Sequence, residues 1–115
     1  MTINHAEVYF FHFDTTPYQE KRPGVRLKAT TGINAQLCLI ELSAATQTRH
    51  VHDNEQIGYI LSGKVTLTIG SFAETLCPGD GYRVPPNVEH GFSVSPDSKL
   101  EYVEAFCPPK EQNAL

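Results

Sequence analysis

From Thr31 onward, turn-forming residues interrupt this chain every eight to twelve positions, a spacing that fits short strands and leaves little room for helices. The breaks are Thr31-Gly32, Ser62-Gly63, Gly70-Ser71, Pro78-Gly79-Asp80-Gly81, Pro85-Pro86-Asn87 and Ser95-Pro96-Asp97. Glycine there permits positive φ, and proline stops a hydrogen-bonded ladder. Between the breaks the apolar residues alternate. In the segment Lys64 to Ile69, Val65, Leu67 and Ile69 share one face and the threonines the other. Val25 to Thr31, Gln36 to Leu42, Gln56 to Leu61, Phe72 to Cys77, Gly81 to Val84, Glu89 to Val94 and Leu100 to Cys107 read the same way, and no segment sustains a helical period. The expected fold is all-β, a compact sandwich or barrel. It forms one domain over 1–115, with a core at about 25–107, an N-terminal arm at 1–24 and a short tail at 108–115 that forms one turn or frays.

A chain of 115 residues with 40% hydrophobic content can bury one core and has no room for a second. Its formal charge of −4, with no run of basic residues, argues against nucleic acid, whose phosphates require a concentrated cationic face, and against membrane surfaces. The opening residues MTINHAEVYFFHF lack the basic start and cleavage site of a secretory signal, and no stretch is long enough to span a bilayer. A soluble, cytoplasmic protein is expected. Cys38, Cys77 and Cys107 are odd in number and widely spaced, so all three are read as small buried hydrophobes, with Cys107 nearest the expected pocket.

His50 and His52 are separated by one residue, a spacing that in a strand sets both imidazoles on one face, close enough to share an ion. Alone, such a pair is as consistent with two solvated side chains. Its surroundings are more specific: RHVHDNEQIGYILSG resembles the first motif of the cupin superfamily, and PGDGYRVPPNVEHGFSV resembles the second. That resemblance implies an RmlC-like jelly-roll β-barrel holding one divalent metal ion through His50, His52, Gln56 and His90. Gln56 stands where glutamate is more usual, and Asn87 where glycine is. Glu55 is the rival third ligand, but its spacing to Gly63 is one residue too long, and on a strand it points away from the face of Gln56. Three neutral imidazoles and an amide leave the ion's charge uncompensated, which favours Lewis-acid chemistry. The donors suit zinc, nickel, iron or manganese. His5 and His12 lie outside any ligand spacing.

In Leu100 to Cys107, alternation puts Tyr102, Glu104 and Phe106 on one face. If that face is interior, Glu104 is desolvated and suited to proton transfer; if exterior, it is solvated. Tyr59 reads either as a proton donor or as a wall aromatic. Within the cupins, EVYFF…PGVRLKAT, DNEQIGYILSGKV, PGDGYRVPPNVEHG and EAFCPPKE resemble the small single-domain KdgF group of pectin and alginate breakdown. Its members convert 4,5-unsaturated uronates into linear keto forms. The resemblance implies catalytic roles for Glu104, Phe106 and Lys110, where that group more usually carries aspartate and arginine at the two charged positions. Arg26, Lys28, Arg83 or Lys110 is expected to neutralise the carboxylate of a small-molecule substrate, with Tyr102 beside it. The other functional classes to weigh are an iron cupin dioxygenase and a non-catalytic small-molecule binder. The latter is disfavoured as a self-contained regulator because no DNA-binding segment is attached. Pairing through edge strands into a homodimer is expected.

Overall fold

The computed structural model describes residues 9–113, and His5 lies outside them. Those residues form nine strands: β1 (Gln19–Arg22), β2 (Val25–Thr31), β3 (Gln36–Leu42), β4 (Glu55–Ser62), β5 (Val65–Ile69), β6 (Phe72–Leu76), β7 (Gly81–Val84), β8 (His90–Val94) and β9 (Leu100–Cys107). Short 3-10 turns at Phe13–Thr15 and Glu111–Asn113 flank them. Eight of the strands follow the alternating segments of the sequence. β1 does not, because Gln19–Arg22 is polar throughout; it forms as the outer arm of a hairpin closed at Pro23-Gly24, where Gly24 takes φ 82°.

Two antiparallel sheets face each other as a jelly roll. One has the order β1-β2-β3-β9-β4-β7, the other β6-β5-β8. The two are separate hydrogen-bonded sheets, and their packing is the jelly-roll arrangement expected from the sequence. On the large sheet the inward row alternates strictly, with Gln56, Gly58 and Ile60 buried on β4 and Leu100, Tyr102, Glu104 and Phe106 buried on β9. On the small sheet Val65, Leu67, Phe92 and Val94 face them. The Phe92 ring bridges the layers, 5.6 Å from Tyr82 and 5.1 Å from Tyr102, in the spacing that aromatic pairs favour. No helix among the described residues is long and apolar enough to cross a membrane.

The segment that carries His50 is not the regular strand its spacing suggests. It is laced to β8 by backbone bonds: Thr48 N to Phe92 O (2.9 Å), His50 N to His90 O (2.8 Å) and His90 N to His50 O (2.9 Å). Gly91 makes this approach possible, since a Cβ there would sit 2.6 Å from the Thr48 carbonyl oxygen. Of the cysteines only Cys38 is buried; Cys77 and Cys107 are exposed, because both stand at strand ends that open into turns. Gly91→Ala should force these backbones apart and destabilise the fold by about 1–3 kcal/mol, the usual cost of overpacking, measured as a lower urea midpoint at unchanged slope.

Candidate functional site

Between the sheets opens a cavity of about 340 Å³, a size suited to a small-molecule ligand. His50, His52, Gln56, His90, Tyr102, Glu104, Phe106 and Lys110 all line it. The strand registers explain the meeting. Gln56 stands opposite Phe106 across β4 and β9, Gly58 opposite Glu104 and Ile60 opposite Tyr102, so one inward face presents all these positions in adjacent rows. His50 and His90 face each other across their bridge, with ring centroids 6.1 Å apart, and the His52 ring lies 4.8 Å from His90. Glu55 is exposed, on the opposite face of β4 from the buried Gln56.

Hydrogen bonds set the orientation of the imidazoles. His90 Nδ1 lies 3.0 Å from the Val88 carbonyl, which can only accept, so the proton is on Nδ1 and the lone pair on Nε2. His52 has an acceptor at both ends: the Asn54 carbonyl 3.0 Å from Nδ1 and Gln56 Oε1 3.0 Å from Nε2. A neutral ring can donate to only one of them. The amide orientation is itself held, because Gln56 Nε2 donates to Glu104 Oε1. A second ring proton would satisfy both acceptors, but burial, reinforced by the charge of Lys110, pushes His52 below its ordinary value. His50 is pushed down to about 4 by burial, with Lys110 and Arg22 adding to the effect. A neutral His52 ring keeps a lone pair facing one of its two oxygens, an arrangement that a cation between Nε2 and Gln56 Oε1 would relieve. Among the described residues no three His, Cys, Asp or Glu side chains form a ready-made ligand cluster.

Glu104 is 3% exposed. Burial raises its carboxyl to about 7, against the opposing pull of hydrogen bonds from Tyr82 and Gln56 and of the Lys110 charge. Tyr82 Oη donates to the same Oε1 that takes the Gln56 amide. Its route there crosses β4 over Gly58, where a Cβ would come within 2.2 Å of the tyrosine ring. Lys110 is depressed by burial although Glu104 pulls it upward. Its position in the tail is fixed by Gln36 Nε2 on the Lys110 carbonyl (3.0 Å), Lys21 Nζ on the Gln112 carbonyl (2.8 Å) and Asn54 Nδ2 on the Pro108 carbonyl (2.6 Å). Next to Glu104 on β3, Cys38 is pushed up to about 12 by burial, which leaves it an inert thiol.

Four expected site residues lie elsewhere. Tyr59 is 48% exposed on the outer face of β4; the tyrosine that bonds to Glu104 is Tyr82, on the inward row of β7. Arg26 pairs with Glu41 (2.9 Å) and stacks on Tyr18, while Lys28 donates to the Phe13 carbonyl (2.5 Å); both belong to the outward row of β2. Arg83 lies outward on β7. Their strand parity removes all four from the cavity. The cations that do line it with Lys110 are Lys21 and Arg22, from the unpredicted β1. Tyr82 was detectable from alternation with Val84; Lys21 and Arg22 carry no local signal, because only the hairpin brings them to the mouth. Cys107 does not line the cavity.

Residues 37–106 match the Cupin_2 family, described as the cupin domain, and the chain belongs to that family. Among curated proteins it is similar to a probable transcriptional regulator, LumQ, of Photobacterium leiognathi. They are 38% identical over 61 residues, which make up 53% of this chain and 25% of that protein, so the match spans a quarter of the relative's length. Its fold is similar to that of KdgF from Halomonas sp., with a TM-score of 0.83 and 22% identity over 90% of this chain and 96% of the other. An RmlC-like cupin from Shewanella frigidimarina superposes with a TM-score of 0.84 at 21% identity, over 90% of this chain and 94% of that one.

The raised Glu104 carboxyl ties stability to pH. Its folded value of about 7 exceeds the ordinary 4.5, so the fold binds this proton more tightly than the unfolded chain does. The associated stability is fully present below about 4.5 and is lost as pH rises through about 7, a change on the order of 3 kcal/mol. In chelator-treated protein, Glu104→Gln should therefore match the wild type at about pH 4 and exceed it by up to about that amount at about pH 8 in urea denaturation. An equal difference at both pH values would contradict the assigned burial.

Proposed function

We propose that this cupin is a metal-dependent enzyme that opens a 4,5-unsaturated uronate and converts it to the linear keto form, with His50, His52, Gln56 and His90 holding one divalent ion. The observation that carries this reading is the buried Glu104 carboxyl, held near neutrality and bonded through Gln56 to the imidazole cluster. A divalent ion in that site supplies Lewis acidity to substrate oxygens. The chain's own residues supply the rest. Glu104, raised to about 7 by burial, can accept and return protons in turn near neutral pH. Ring opening takes a proton from the anomeric hydroxyl and gives one to the ring oxygen; ketonisation takes the enol proton and gives one to the neighbouring carbon. Neither step changes oxidation state. Phe106 packs edge-on to His52 at 5.9 Å and so supports the position of that ring. The fold likeness to KdgF supports the substrate class.

A second reading, a small-molecule-sensing module, is supported by the similarity to the regulator LumQ. The two readings part at Glu104, since a sensor needs the pocket's shape but no proton transfer. In an assay following the ultraviolet absorbance of an unsaturated uronate, the enzyme reading expects acceleration over buffer, loss with chelator and recovery with a divalent salt. Glu104→Gln should lower kcat by roughly 10²–10⁴-fold while ligand binding persists. Absence of acceleration by the metal-loaded wild type would overturn the enzymatic reading.

A further inference from the structure

We propose that Arg22 anchors the carboxylate of the ligand at the cavity mouth and makes the site selective for sugar acids over neutral sugars. This inference rests on reading the cavity as a sugar-acid site. Arg22 lies outside both cupin motifs.

Three cations line the cavity, Lys21, Arg22 and Lys110, against a single carboxylate, Glu104. Glu104 lies on the inward face of β9 and already accepts from Tyr82 and Gln56. Lys21 is engaged, donating to Gln19 Oε1 (3.1 Å) and to the Gln112 carbonyl (2.8 Å). Lys110 is engaged with an aromatic face, its Nζ lying 5.2 Å from the centre of the Phe106 ring. Arg22 makes no ion pair and no side-chain hydrogen bond among the described residues. Elsewhere the cations Arg26, Arg49 and Lys99 have acidic partners in Glu41, Glu89 and Glu101.

The aim of Arg22 comes from an irregularity in β1. Its register with β2 runs Glu20 to Arg26 and then Arg22 to Val25, so Lys21 is skipped. A bulge of this kind turns a side chain out of the alternation its strand would impose. The guanidinium lining the cavity is a planar fork matched to a carboxylate, whereas a lysine such as Lys110 offers only a point charge. A ligand gripped by the imidazole cluster at one end thus meets an unsatisfied fork at the other.

The test compares metal-loaded wild type with Arg22→Gln and Arg22→Lys, using galacturonate as the acidic probe and galactose as the neutral one, by calorimetric titration. Melting temperatures should not differ, since Arg22 is exposed at a sheet edge. The wild type should prefer galacturonate. Arg22→Gln should lose roughly 10- to 100-fold in affinity for it with galactose unchanged, and Arg22→Lys should fall between. If the wild type shows no preference for the acid, or if Arg22→Gln retains it, the inference is overturned. The outcome is separable from that of the proposed reaction. An Arg22-dependent acid preference without uronate turnover sustains the anchor and removes the reaction, whereas turnover with an unchanged KM in Arg22→Gln does the reverse.

Discussion

One amide organises this molecule's interior. Gln56 gives its N–H to the Glu104 carboxylate and turns its oxygen to His52, and each contact fixes the meaning of the other. With the N–H committed, the oxygen must face the imidazole cluster; with the oxygen so placed, Glu104 is coupled to whatever that cluster holds. A buried polar network of this kind is costly if any member lacks a partner, which is why Tyr82 also closes on Glu104 and why Asn54 and Val88 carbonyls sit behind the rings.

The sheets make that network possible through what they omit. Gly58 leaves a gap in the inward row of β4 through which Tyr82 reaches Glu104 on β9, two strands away from its own β7. Gly91 leaves a gap in β8 that lets the His50 segment lie against it. Each replaces a side chain with space that another group fills, and both gaps serve the same cavity. The rim is built from the least regular parts of the chain, the bulged β1 and the tail after β9, tied together by Lys21 on the Gln112 carbonyl. A rigid floor and an irregular rim are a familiar division of labour, with the scaffold holding position and loops choosing ligands.

Strand parity was legible in the sequence wherever the alternation was unambiguous. Gln36 to Leu42, Gly81 to Val84 and Leu100 to Cys107 have the bounds their patterns suggest, while the side of the sheet that Glu104 faces was left open by the alternation and is interior in the fold. Tyr59 illustrates the limit. Its strand is apolar on both faces, with Ile57, Tyr59 and Leu61 exposed outward and Gln56, Gly58 and Ile60 inward, so hydrophobicity alone does not say which tyrosine faces the cavity. Basic residues were harder still: Arg26, Lys28 and Arg83 are inside the recognisable strands yet point outward, while Lys21 and Arg22 come from a polar segment with no pattern at all.

By itself the sequence determined the strand-rich fold, the two motifs and the type of donor available at positions 50, 52, 56 and 90, because period-two alternation and short-range spacing are local properties of a chain. Only the tertiary structure decided that Gln56 would be shared between a carboxylate and an imidazole, that Tyr82 would reach across Gly58, and that a hairpin outside the motifs would aim Arg22 at the mouth. Those outcomes depend on which strands become neighbours and where a ladder skips a residue, and such long-range pairings leave no mark on any single stretch of residues.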